Sequence, residues 1–125
     1  MKIRSITCFL APGWPLDLEI LHRAGEFLAA ATPAFETAGY EVQTLRLATP
    51  SFTRLLQPAG AGQVVEHAVA LERSAQAEGF SYVSLGPALP GLFASYAVIP
   101  QVIAVLLDGT WVQTLFDAAD VPLLL

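Results

Sequence analysis

The sequence predicts an α/β fold, a parallel or mixed sheet built from βαβαβ with helices packed against it. Three observations carry this reading. Residues 41–48 are rich in Val, Leu and Thr and lie between Gly39, a helix terminator, and Pro50, which has no N–H to offer a ladder. A helical pattern and a shorter strand pattern come before this segment. A second helix and a third strand come after it, so the strand lies inside two successive crossovers long enough to join parallel neighbours.

The first strand is read over residues 2–10, where Ile3, Ser5, Thr7 and Phe9 alternate with Arg4, Ile6, Cys8 and Leu10. Apolar groups on both faces suit the interior of an α/β sheet. Residues 11–15, with Pro12, Gly13 and Pro15, make a rigid turn, and Asp17 and Glu19 lie where a helix N-terminus favours negative charge. From there Leu18, Leu21, Gly25, Leu28, Thr32 and Phe35 recur at spacings of three and four and mark the inner face of a helix. Pro33 predicts a kink or a new turn before Gly39. Beyond the 41–48 strand, residues 51–62 read as a loop with one short helical turn. A second helix over about 62–78 places Val64, Ala68, Leu71 and Ala75 inward, and Gly79 ends it. A third strand over 80–85 is closed by Gly86 and Pro87. Gly91 to Leu107 carries no charge and is interrupted by Pro100, which fits a buried helix better than a membrane span. Residues 110–119 read as one more short helix.

At 125 residues the chain has the length of one α/β domain, 1–125. Its AVILMFWYC share of 54% is high and its charged share of 14% is low against the roughly 25% usual for a soluble domain. Excess apolar surface on so small a body points to a partner, to further chain, or to a membrane. The favoured expectation is a homo-oligomer joined through the apolar region after residue 90, in a chain that is the amino-terminal part of a longer, truncated protein. The net charge of -5 arises after residue 54, where Arg73 stands alone against six acids. No basic cluster exists to neutralise phosphates or anionic lipid, so neither nucleic acid nor a membrane surface is an expected partner. Cys8 is the single cysteine, which excludes an intrachain disulfide and fits a reducing, cytoplasmic compartment.

Ligands of parallel sheets bind beyond the carboxyl ends of the strands. The loops at 11–15, 49–54 and 86–91 lie there and nominate Trp14, Thr49, Ser51, Arg54 and Tyr96 as ligand-binding candidates. Arg54 would hold an anion, the hydroxyls of Thr49 and Ser51 would orient it, Trp14 would supply an apolar wall and Tyr96 a polar tip. The competing reading has Thr49 and Ser51 capping local backbone while Arg54 lies over Phe52. Catalytic signatures are missing: no dinucleotide or Walker fingerprint follows a strand, so catalytic residues and cofactors stay unknown. His22 and His67 lack the spacing of a zinc site and read as ordinary helix-surface or interface residues, and Cys8 reads as structural. Arg4 and Arg46, placed within strands, call for carboxylate partners, either Glu41 and Asp17 or acids from other chain. Two functions stand: an enzyme acting on a small anionic metabolite at the strand-end cleft, or a non-catalytic oligomeric subunit.

The stretches Lys2 to Thr7, Pro12 to Pro15, Ala38 to Pro50 and Tyr82 to Pro87 resemble the amino-terminal part of an uncharacterised bacterial family, domain of unknown function 711. The resemblance covers residues 1 to about 100 and departs near Val102. It implies a chain of several hundred residues and a fold related to pyruvate formate-lyase-like barrels. The glycyl-radical motif and loop cysteines of those enzymes are not present here.

Overall fold

The computed structural model describes residues 1–55 and 63–89 in full and residues 112–116 as backbone. In chain order the elements are β1 (Lys2–Ile3), β2 (Ile6–Phe9), α1 (Leu18–Thr37), β3 (Glu41–Val42), β4 (Leu45–Ala48), α2 (Phe52–Leu55), α3 (Val64–Ala77), β5 (Tyr82–Ala88) and β6 (Val112–Phe116). The fold is α/β. A four-stranded sheet has the order β2-β4-β5-β6 with every pairing parallel, and β1 and β3 form a small parallel pair beside it.

Each of the first two expected strands is divided. The ladder breaks at residues 4–5 and 43–44, where the Thr44 hydroxyl donates to the Arg4 carbonyl at 2.7 Å in place of a backbone bond. Ile6 N–H to Thr44 O and Gln43 N–H to Ile3 O hold the chains together on either side of the break. The third strand differs more. Gly86 and Pro87 do not end it; they lie inside Tyr82–Ala88, in a register shift between Ser84 and Pro87. A bulge is where a strand tolerates a proline, and Gly86 adopts φ +77 there. A Cβ on Gly86 would lie 2.7 Å from the Ser51 nitrogen, so the bulge also needs glycine for room.

Sequence order and spatial order coincide, so the sheet winds in one direction. Right-handed crossovers then put successive helices on the same face, and α1 and α3 do pack on one another. Gly25 of α1 meets the end of α3, where a Cβ would lie 2.9 Å from the Glu78 backbone oxygen. The core forms between these helices and one sheet face: Leu21, Leu28, Leu47, Leu71, Val83 and Leu85 are nearly inaccessible, with Ile6, Cys8 and Leu45 against them. Burial of each large side chain contributes about 1.5–3 kcal/mol. The alternate strand positions, Thr7, Phe9, Arg46, Ala48, Tyr82 and Ser84, point to the other face, and Phe9 is 80% exposed.

Helix α1 is capped by Asp17, whose carboxylate accepts from the N–H groups of Glu19 and Ile20. It runs through Pro33 to Thr37 instead of breaking, since the carbonyl left unpaired by Pro33 belongs to Ala29 on the exposed side, within reach of water. Of the expected inner face, Leu21, Gly25 and Leu28 are buried while Leu18 and Phe35, at its two ends, are exposed because the helix overhangs the sheet. Residues 112–116 form a strand beside β5, not a helix. The expected helix within 91–107 lies outside the described residues, as does most of the apolar region after residue 90. Among the described residues no helix is long and apolar enough to cross a membrane.

Candidate functional site

The carboxyl ends of β2 and β4 are adjacent, so the loops that leave them form one edge of the sheet. Leu10 N–H donates to Ala48 O at 3.1 Å and fixes where the two chains part. Beyond that point residues 11–13, Thr49, Pro50, Leu55 and His67 enclose a cavity of about 60 Å3. This cavity lies at the strand ends, with a mostly apolar lining to which His67 contributes.

His67 lies on the inner face of α3. It is 1% exposed, and neither Nδ1 nor Nε2 has a hydrogen-bond partner. Trp14 meets it edge-on, with ring centroids 5.1 Å apart and planes at 82°. Burial pushes the His67 pKa down to about 4, so the imidazole is neutral near pH 7 and carries one N–H donor and one acceptor nitrogen. His67 is not a surface residue. Its place was readable, since it stands three residues after Val64 and four before Leu71, both core residues of α3.

The candidate residues separate. Trp14 borders the site through its contact with His67, and Thr49 lines the cavity. The Thr49 hydroxyl, however, donates to the backbone, at 3.0 Å from Ser84 O and 3.2 Å from Pro50 O. Ser51 is buried: its hydroxyl donates to Pro87 O at 2.6 Å, and it accepts from Thr53 N–H at 3.2 Å and from the Thr53 hydroxyl at 2.6 Å. It therefore caps α2 and ties the 50–51 loop to the bulge of β5. Arg54 is exposed on α2 and does not line the cavity. Tyr96 lies outside the described residues.

Other titratable groups act elsewhere. His22 is an exposed clasp between helices, with Nδ1 3.1 Å from Glu78 Oε2 and Nε2 3.5 Å from Glu26; the Glu78 hydrogen bond, and then its charge, raise its pKa. Burial pushes the Cys8 thiol up, against a thiolate role. The partners expected for the strand arginines are engaged elsewhere, Glu41 with Lys2 at 3.9 Å and Asp17 with the start of α1. Among the described residues no group of three or more His, Cys, Asp or Glu could hold a metal ion.

A family model described as "Uncharacterised ACR (DUF711)" matches residues 1–114. The chain belongs to that family. Membership extends past Val102, where the sequence reading placed a departure, and reaches into β6 of this DUF711 chain. Neither a curated protein nor a solved structure matches it.

Proposed function

We propose that this chain binds a small metabolite at the carboxyl edge of its parallel sheet and that the neutral His67 imidazole recognises a polar group of that ligand. The observation that carries the reading is the buried ring, with two unpartnered nitrogens, of a residue that lines the cavity. Leaving a buried polar group unsatisfied costs about 1–3 kcal/mol, a cost that a ligand able to accept from one nitrogen and donate to the other would remove. The volume of about 60 Å3 admits a hydroxyl or amide group, with the rest of the ligand in the adjoining depression along Phe9, Leu10 and Ala48.

Recognition suits His67 better than proton transfer. A general base works best with a pKa near the working pH, and a ring held near 4 is a weak base at neutrality. Among the described residues no cation lines the edge cavity, Arg54 included, which favours a neutral ligand group there.

Calorimetric screening of small neutral hydroxy and amide compounds tests the proposal. Hits on the wild-type chain should weaken by about 1–3 kcal/mol in His67→Phe, which keeps an aromatic ring against Trp14 and removes both nitrogens. Hits that bind both proteins equally would sink it.

A further inference from the structure

Arg46 occupies an unusual place for a permanent cation. It lies in β4, an interior strand of a parallel sheet, on the face opposite α1 and α3, in register with Thr7 of β2 on one side and Tyr82 of β5 on the other. Its guanidinium carbon stands 5.2 Å from the centroid of the Tyr82 ring, a cation–π contact that fixes the planar group over the sheet. The Nε–H is buried without a hydrogen-bond partner. The ion pairs among the described residues, Lys2–Glu41, His22–Glu26 and His22–Glu78, leave Arg46 out. Beside it is a cavity of about 210 Å3, bordered also by Thr7, Phe9, Tyr82 and Ser84, in which Arg46 is the only charged lining residue among those described.

We infer that this cavity is a binding site for a small monocarboxylate with an apolar body, held by the Arg46 guanidinium. A held guanidinium presents parallel N–H donors that match the two oxygens of a carboxylate, and the buried Nε–H is the donor that lacks an acceptor. One cation balances one negative charge, whereas a phosphate dianion would keep a charge uncompensated in a half-buried site. Thr7 carries a hydroxyl beside the guanidinium, and Phe9, 80% exposed, offers an apolar surface to the ligand body. The cavity shares no lining residue with the edge cavity beside His67, although Phe9 and Ala48 border both it and the depression that adjoins that edge cavity.

Benzoate and inorganic phosphate are suitable probes of the full chain. Benzoate should bind the wild type with a dissociation constant in the millimolar range or tighter, and at least about tenfold more weakly to Arg46→Met, which keeps an unbranched apolar stem. Binding should persist in His67→Phe, and phosphate should bind more weakly than benzoate. In the wild type, the Arg46 Nε–H resonance in a nitrogen-correlated NMR spectrum should shift as benzoate is added, a readout that needs no variant to fold. An unmoved resonance, equal benzoate affinity in Arg46→Met, loss of binding in His67→Phe instead, or tighter binding of phosphate would each overturn the assignment. So would a shift that follows protein concentration and not benzoate, since it would trace to a carboxylate of a second copy.

Discussion

His67 holds a ring that the fold desolvates without offering it a hydrogen bond, so its cost to stability can be measured. Replacing it by Phe should stabilise the chain by about 1–3 kcal/mol at pH 7, read from urea unfolding, because the unsatisfied nitrogens go while the edge contact with Trp14 persists. A second consequence concerns pH. The unfolded ring takes its proton near 6.5 and the folded ring at about 4, so between these values the unfolded chain binds the proton first. Stability from this group is whole above about 6.5 and declines as pH falls toward 4, by up to about 3 kcal/mol at 1.36 kcal/mol per unit. The decline should vanish in His67→Phe; an unchanged acid profile in that variant would contradict the burial argument. His22 has the opposite sign: its raised pKa gives stabilisation present below 6.5 that is lost as pH rises through the raised value, and its exposure keeps the effect small. His67 was legible as an inward position from its spacing. Its chemistry was not, because spacing does not show whether a buried nitrogen finds a partner. Thr49 and Ser51 had two readings from sequence, and contacts with Ser84 and Pro87, more than thirty residues away, decide for backbone capping.

At the scale of elements, two glycines act through space and not through flexibility alone. Gly25→Ala adds a better helix former to α1, a gain of about 1 kcal/mol, but drives a methyl group against the Glu78 backbone oxygen at the end of α3. The clash should win, with a net loss of about 1–2 kcal/mol in chemical unfolding. Gly86→Ala combines a positive φ with backbone contacts at 2.7–2.8 Å to the 50–51 loop and should cost more than Gly25→Ala. The reverse ranking would show that the bulge can relax. The parallel strands and both long helices were legible because each rests on local periodicity. The bulge was not, since Gly86 and Pro87 read locally as a stop and only pairing with β6 carries the strand across them. Residues 112–116 misled for a related reason: a short apolar run fits helix or strand, and the neighbour β5 settles the choice.

For the whole molecule, an acidic net charge accompanies an exposed apolar surface. Phe9, Phe27 and Leu18 are each at least 60% exposed, while the net charge is -5 and the isoelectric point about 4.7. Repulsion between like-charged molecules fades as pH approaches that value. Light scattering at low salt should therefore rise from pH 7 toward about pH 4.7. Scattering that stays flat over this interval would show that charge is not what keeps the molecules apart. The order β2-β4-β5-β6 has a temporal consequence as well. A chain emerges from the ribosome amino end first, and among the described strands of this sheet each new one finds its neighbour already made. None of the described strands is left waiting beside a gap between them that later chain must fill, as a doubly wound sheet requires of its central strands. Synthesis and assembly run in the same sequence, each completed strand offering the ladder on which the next one closes.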